Sequence, residues 1–355
     1  MKKSLKYATS GALIIGLGNG IINAFKQIKA IENDSNKEFD WTETIKATGK
    51  GALIGGVSGA VVGGVMDLRN STETPLDTNS ILASVVSNMR MDKKHPVYKT
   101  LSKKAERIMR LIESNFKEKI VGHLIRVGST EDGTAISENF DIDITVPFGH
   151  NSYKSTAIMY EQLLKFLKSN YKDKDLIKVR EQRKSIGILF SIKNEKYKID
   201  IVPFKLSEKS NNDNNTAGYL YVNNDSLFGK ASYTKTDITS LTSIHLTSTQ
   251  QKILIALKTW KKNYAIPISS HLLKMFILDA YSNYVGKIPR DFTKKILMII
   301  THLSINIRHK RIISVENTNN VLTNINELDK ISIQKSCKKV LEDYQYQPNS
   351  ILKYF

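Results

Sequence analysis

The chain has 355 residues, 41% hydrophobic and 25% charged, which is enough apolar material for two or three packed domains. Its single cysteine, Cys337, excludes an intrachain disulfide framework, and its seven histidines form no H-x-x-H-type cluster, so a structural zinc site of ordinary spacing is excluded too. A formal net charge of +19 favours polyanionic partners: nucleotides, nucleic acid or an anionic membrane surface.

Residues 1–70 read as a unit of their own. Ala8–Phe25 (ATSGALIIGLGNGIINAF) and Gly51–Met66 (GALIGGVSGAVVGGVM) contain no charged residue, and both carry the tetrapeptide GALI, which points to an internal duplication. Small residues recur at every fourth position, at Ala8, Ala12, Gly16, Gly20 and Ala24 and again at Gly51, Gly55, Gly59 and Gly63. On a helix this spacing makes a smooth stripe for close packing of a second helix, and for oligomerisation. The expectation is a glycine-zipper hairpin that anchors the chain in a membrane, although each segment only just reaches the roughly 20 residues a spanning helix needs. Lys2, Lys3 and Lys6 before the first segment and Arg69, Lys93 and Lys94 after the second place both ends inside. Everything beyond residue 70 would then be cytoplasmic, at the inner membrane. A signal peptide, or a glycine-rich helical pair within a soluble cytoplasmic oligomer, is the alternative.

Residues 71–95 lack periodicity and read as a linker with a short helix around Ile81 to Met89. A firm helix follows in HPVYKTLSKKAERIMRLIESNF, where Leu101, Ala105, Ile108, Ile112 and Phe116 fall at three- and four-residue steps and Lys103, Arg107 and Arg110 lie on another face. GHLIRVGST reads as a strand ending in a turn at Gly128. Glycine lets the backbone approach a ligand there, and Ser129 with the following N–H groups could donate to phosphate if a helix or nest begins at that point.

NFDIDITVPF has a period of two. Asp141, Asp143 and Thr145 share one strand face, and Ile142, Ile144 and Val146 the other. Two carboxylates so close repel unless a cation lies between them, and Mg²⁺ takes hard oxygen ligands from one or two carboxylates plus substrate phosphates. A solvated pair on an exposed strand edge is the competing reading. Downstream, KSIGILFSIKNEKYKIDIVPF reads as a β-hairpin that sets Asp200 in an otherwise apolar strand ended by Pro203. Three acids on neighbouring strands could bind two metal ions. No Walker A loop or G-x-S-x-G elbow competes. From residue 246 the pattern is helical, in STQQKILIALKTW, SSHLLKMFILDAYSNY, PRDFTKKILMIITHLSI and IQKSCKKVLEDY. Lys258 on its own reads as a surface lysine of an amphipathic helix, and His271 as a first-turn residue after the good caps Ser269 and Ser270.

The series Gly128-Ser129, Asp141-Ile142-Asp143 and Asp200-Ile201-Val202-Pro203 resembles the polymerase-β-type nucleotidyltransferases. The nearest branch holds the bacterial cGAS/DncV-like enzymes, the oligoadenylate synthases and the archaeal CCA-adding enzymes. ILIALKTWKKN, ISSHLLKMF and VENTNNVLTNI are similar to further segments of that family, so the likeness covers roughly Leu101 to Tyr344. It implies an α+β fold, with a mixed-sheet catalytic core over 96–245 and a helical domain over 246–355 that closes a nucleotide cleft. It further implies Mg²⁺ (or Mn²⁺) held by Asp141, Asp143 and Asp200, and a triphosphate held by Gly128 and Ser129 with help from Lys258 and Ser270. His271 would stand where a tyrosine stacks on the base. Lys274 stands where the branch often has Glu, and the tryptophan usual around Asp225 to Tyr233 is missing, which touches base specificity rather than the metal ligands. The implied reaction joins NTPs into a cyclic or linear oligonucleotide second messenger for antiphage signalling, under an RNA or protein activator. The alternatives are nucleotide addition to RNA 3′ ends, and a membrane effector whose nucleotidyltransferase-like domain only senses a ligand.

Overall fold

A computed structural model describes residues 77–138, 140–211, 217–223, 232–237, 244–314 and 319–355. The glycine-rich hairpin expected over 1–70, the first part of the linker, and most of the stretch from Asp225 to Tyr233 lie outside the described residues. Among the described residues no helix is long and apolar enough to cross a membrane.

The chain divides into two compact units. Of the described residues, one comprises 77–85 with Ala256–Ile312 and Val321–Phe355; the other comprises those of Val86–Ile255 and Ile313–Asn320. The first described element, α1 (Thr78–Met89), occupies the segment read as a linker with a short helix. It is packed structure: Leu82 and Val86 are buried, and Asn79 accepts from the backbone N–H of Thr293 at 3.0 Å and donates to Asp291.

In the second unit α2 (Pro96–Phe116) starts with proline at its first turn, where a missing N–H costs nothing, and buries Leu101, Ala105, Ile108, Ile112 and Phe116. Strands β1 (Ile125–Val127) and β2 (Asp141–Phe148) precede α3 (Thr156–Asn170). They are followed by β3 (Leu176–Glu181), β4 (Ile186–Ile192), β5 (Glu195–Leu206), β6 (Ala217–Val222) and β7 (Ser232–Asp237). The sheet runs β1-β2-β5-β4-β3, with β6 beside β5 and β7 beside β6. Only β2 and β5 pair in parallel, so the sheet is mixed. The expected β4–β5 hairpin closes through Lys193 and Asn194, both with positive φ (53° and 67°), the two-residue turn whose twist matches that of the strands.

Alternation along the strands separates two faces. Ile142, Ile144, Val146 and Phe148 of β2, Ile186, Ile188, Phe190 and Ile192 of β4 and Tyr197, Ile199 and Ile201 of β5 join the apolar faces of α2 and α3 in one core. The opposite face carries the intervening residues: Asp141, Asp143 and Thr145, Gly187, and Lys198, Asp200 and Val202. A small apolar cluster of Phe204, Leu206, Leu220 and Val202 covers its far end. The sheet therefore leaves its polar residues together at one end of one face.

An ion cluster pins α2 to the loop before β3. Lys104 Nζ lies 2.5 Å from Asp173 Oδ1 and 2.9 Å from Asp175 Oδ2, and Arg107 reaches Asp173 at 3.3 Å. The Lys104 and Asp173 side chains are 8% and 3% exposed, so each needs its partner. Lys104→Ala is expected to cost about 3 kcal/mol in urea unfolding, because it strands a buried carboxylate. Burial raises the proton affinity of Asp173, but the hydrogen bonds and charges of Lys104 and Arg107 outweigh it and hold the carboxyl below its ordinary value. A depressed folded value means stability that is present above about pH 4 and lost as pH falls through that lower value. Asp173→Asn should therefore show a smaller loss of stability between pH 6 and pH 3 than the parent; an unchanged loss would contradict the assignment.

The helices of the C-terminal region are α4 (Ser248–Asn263), α5 (Ser270–Asn283), α6 (Phe292–Asn306) and α7 (Glu327–Tyr346), and α4 passes from the sheet unit into the helical unit. Ser269, Asp291 and Asn326 cap α5, α6 and α7, each accepting from a backbone N–H of the first turn. α6 is buried almost all round, as befits the central helix of its unit, and packs against α5 and α7. Its one buried ring nitrogen donor, His302, meets Asp279 at 2.5 Å, and Lys310 of the basic run Arg308–Arg311 meets the same carboxylate at 2.6 Å.

Candidate metal centre

Strand register assembles the site. In the parallel β2–β5 pair, Asp143 stands directly beside Asp200 and Asp141 beside Lys198. β2 is flanked by β1 and β5 at Asp143, which pairs with Val127 and Asp200, so Asp143 does not lie on an exposed edge, whereas Asp141 is paired on the β5 side, with Lys198. Oxygens of Asp141, Asp143 and Asp200 all lie within 4.8 Å of one another, and among the described residues this is the group of acids or histidines fit to hold a metal ion. All donors are hard carboxylate oxygens, the set that Mg²⁺ or Mn²⁺ takes.

The fourth member of the patch is Lys198, whose Nζ lies 2.7 Å from Asp200 Oδ2 and 3.3 Å from Asp141 Oδ2. Burial alone would lower its proton affinity, but the ion pairs with Asp200 and Asp141 raise it. Asp200, 7% exposed, is pushed upward by burial, and the charge of Asp141 adds to this against the lowering by Lys198 and Gln182. Three carboxylates and one ammonium leave two formal negative charges on the patch.

Asp200 is oriented from its other side. Gln182 Nε2 donates to Asp200 Oδ1 at 3.1 Å, while Gln182 Oε1 accepts from Ser185 Oγ at 2.8 Å. The amide passes over Gly187, which is opposite Asp200 in the β4–β5 register. A Cβ there would lie 2.1 Å from Gln182 Nε2. Tyr160 of α3 fixes the turn by donating to the Ser185 carbonyl at 2.8 Å and accepting from the Gln182 N–H at 3.1 Å. Burial raises its hydroxyl to about 12, so it remains a donor at neutral pH.

Gly128, with φ +83°, closes the site beside β2, and a Cβ on it would lie 2.1 Å from Asp143 Oδ2. No helix begins after it. The N–H groups of Glu131 and Asp132 return to the Gly128 carbonyl, and those of Thr134 and Ala135 to the Ser129 carbonyl. Those four N–H groups are thereby turned back into the loop, and the N–H of Ser129 has no such bond among these. The structure thus brings together Asp141, Asp143 and Asp200 with Gly128. Lys258, Ser270 and His271 belong to the helical unit. Lys258 is 8% exposed, which removes the surface-lysine reading, and Ser270 opens α5 after its cap Ser269. Lys198 and Gln182 are additions that the sequence reading missed. Lys198 shares the period-two face of Asp200 and was legible in KYKID, whereas Gln182 reaches the site from a turn.

No protein-family model matches the sequence, and no curated protein does. Solved structures do match. The Escherichia coli MS115-1 protein CdnC with ATP aligns at 14% identity and a TM-score of 0.58, over 79% of this chain and 96% of that one. CdnC in complex with HORMA-deltaN aligns at 15% identity and a TM-score of 0.56, over 78% and 96%. The Bradyrhizobium diazoefficiens CD-NTase CdnG with GTP aligns at 12% identity and a TM-score of 0.55, over 77% and 92%. The chain therefore has the polymerase-β-type nucleotidyltransferase fold. Within that class its fold is the one found in the cGAS/DncV-like bacterial proteins, the CD-NTases.

Proposed function

We propose that the chain is a divalent-metal-dependent nucleotidyltransferase that joins NTPs into a cyclic or linear oligonucleotide second messenger used in antiphage signalling. The observation that carries the reading is the meeting of Asp200 with Asp141 and Asp143 inside 4.8 Å, on the fold of proteins solved with ATP and GTP. Asp141, Asp143 and Asp200 would hold Mg²⁺ or Mn²⁺, which when bound stabilises charge on the α-phosphate and on the leaving pyrophosphate. Asp200, fixed by Gln182, orients the acceptor ribose hydroxyl. Its oxygen bonds to the α-phosphorus as the bond to the bridging oxygen breaks, pyrophosphate leaves, and the hydroxyl proton passes to solvent. Gly128 lets the backbone come close to the triphosphate, where Ser129 donates, with Lys258 and Ser270 as further phosphate contacts and His271 against the base.

The CdnC complex with HORMA-deltaN supports a protein partner for this chain, which we propose acts as an activator, and the net charge of +19 suits an RNA one. Residues 1–70 anchor the enzyme at the inner membrane with its catalytic units on the cytoplasmic side, and the glycine stripe pairs copies. Alkaline carbonate extraction should leave the full-length chain in the membrane pellet; recovery wholly in the supernatant would end that part of the reading.

Purified full-length protein, labelled NTPs and Mg²⁺, assayed alone and with nucleic acid or the neighbouring gene products, should yield a phosphatase-resistant product. Label that appears only on the 3′ ends of added tRNA would instead establish the RNA-acceptor reading, which the basic charge also suits. No transfer to any acceptor would leave only a ligand-sensing domain.

A further inference from the structure

Lys198 lies among the metal ligands but cannot itself be one. Its ammonium contacts Oδ2 of both Asp141 and Asp200, at 3.3 and 2.7 Å, and its side chain is 27% exposed. Register holds it there, since Lys198 is the direct neighbour of Asp141 across β2–β5 and shares the face of Asp200 two residues on. The two carboxylates it pairs with are two of the three whose oxygens lie within 4.8 Å of one another, the group a divalent ion would take. A lysine ammonium and a metal ion repel at such range and compete for the same carboxylates, and a four-carbon stem lets the ammonium move aside.

We propose that Lys198 is a built-in competitor for the catalytic cation: metal binds between Asp141 and Asp200 by displacing its ammonium. This rests on the metal-site reading above and adds to it an order of loading. Without nucleotide the lysine keeps the carboxylates paired and metal binds weakly. The triphosphate supplies both oxygen ligands for the ion and an alternative anion for the displaced ammonium, so metal and nucleotide load together.

The test is a Mn²⁺ titration of the full-length protein without nucleotide, followed by the loss of the free-ion EPR signal. Lys198→Met, which keeps the apolar stem and removes the charge, is expected to bind Mn²⁺ about five-fold or more tightly than the parent, the scale of one exposed-to-half-buried ion pair. Lys198→Arg should stay near the parent. Lys198→Gln serves as a second neutral variant should the methionine disturb folding, checked by circular dichroism. Equal or weaker Mn²⁺ binding by folded neutral variants overturns the proposal and makes Lys198 a residue that merely positions the carboxylates. Asp143→Asn separates the two levels. If the parent binds Mn²⁺ in an Asp143-dependent way while Lys198 variants show no gain, the competition idea alone fails. If no protein shows Asp143-dependent binding, the metal site itself fails.

Discussion

Asp143→Asn is expected to abolish nucleotide joining, lowering the rate by about a thousandfold or more, while the protein stays folded. Asp143 sits directly beside Asp200 across the parallel β2–β5 pair, and two such neighbours are tolerable only when a cation compensates them. The substitution keeps the shape and removes the charge that holds the ion. Losing several kcal/mol of transition-state stabilisation corresponds to three or more powers of ten in rate. Stability should hold or rise, because a repulsion is relieved. A simultaneous loss of activity and of the folded state would mean that Asp143 is structural. Turnover within about tenfold of the parent would mean that the chemistry does not pass through the site.

Gly128→Ala should have the second largest effect, and for a different reason. At φ +83° any side chain costs about 1 kcal/mol, and the new Cβ would sit 2.1 Å from Asp143 Oδ2. Because a rigid backbone carries that Cβ, the carboxylate must turn away and the metal loses a ligand. Mn²⁺ affinity is expected to fall by about tenfold or more, with a matching loss of nucleotide joining. Gly122 supplies the control: it too has positive φ (+73°), but nothing lies within 4 Å of its Cβ position. Gly122→Ala should show the same modest loss of stability with Mn²⁺ binding unchanged. Equal effects from both would reduce Gly128 to a turn residue.

How far the site could be read from the sequence depends on how local its signals are. Asp141 and Asp143 announce themselves because a period of two in an apolar strand sends both to one face, and the fully buried Ile142 and Ile144 verify the alternation. Asp200 needed a pairing that no local pattern encodes; the resemblance supplied it and the β2–β5 register realises it. Lys198 obeys the same period as Asp200 but was passed over, since a strand lysine between Tyr197 and Ile199 reads as solvent-facing. Gln182 was out of reach altogether. It arrives from the β3–β4 turn, and its route depends on Gly187 lacking a side chain on a third strand. Helix α1 was legible only as a short helix in a linker for a related reason: Asn79 gains its role from Asp291 and Thr293, more than two hundred residues away.

Anomalous scattering from crystals of the protein with Mn²⁺ and a non-hydrolysable NTP would show where the metal sits. A manganese peak is expected within bonding distance of Asp141, Asp143 and Asp200 together, with Lys198 moved off their oxygens and the triphosphate beside Gly128. A peak coordinated without Asp200, or nucleotide bound with no metal at these carboxylates, would contradict it.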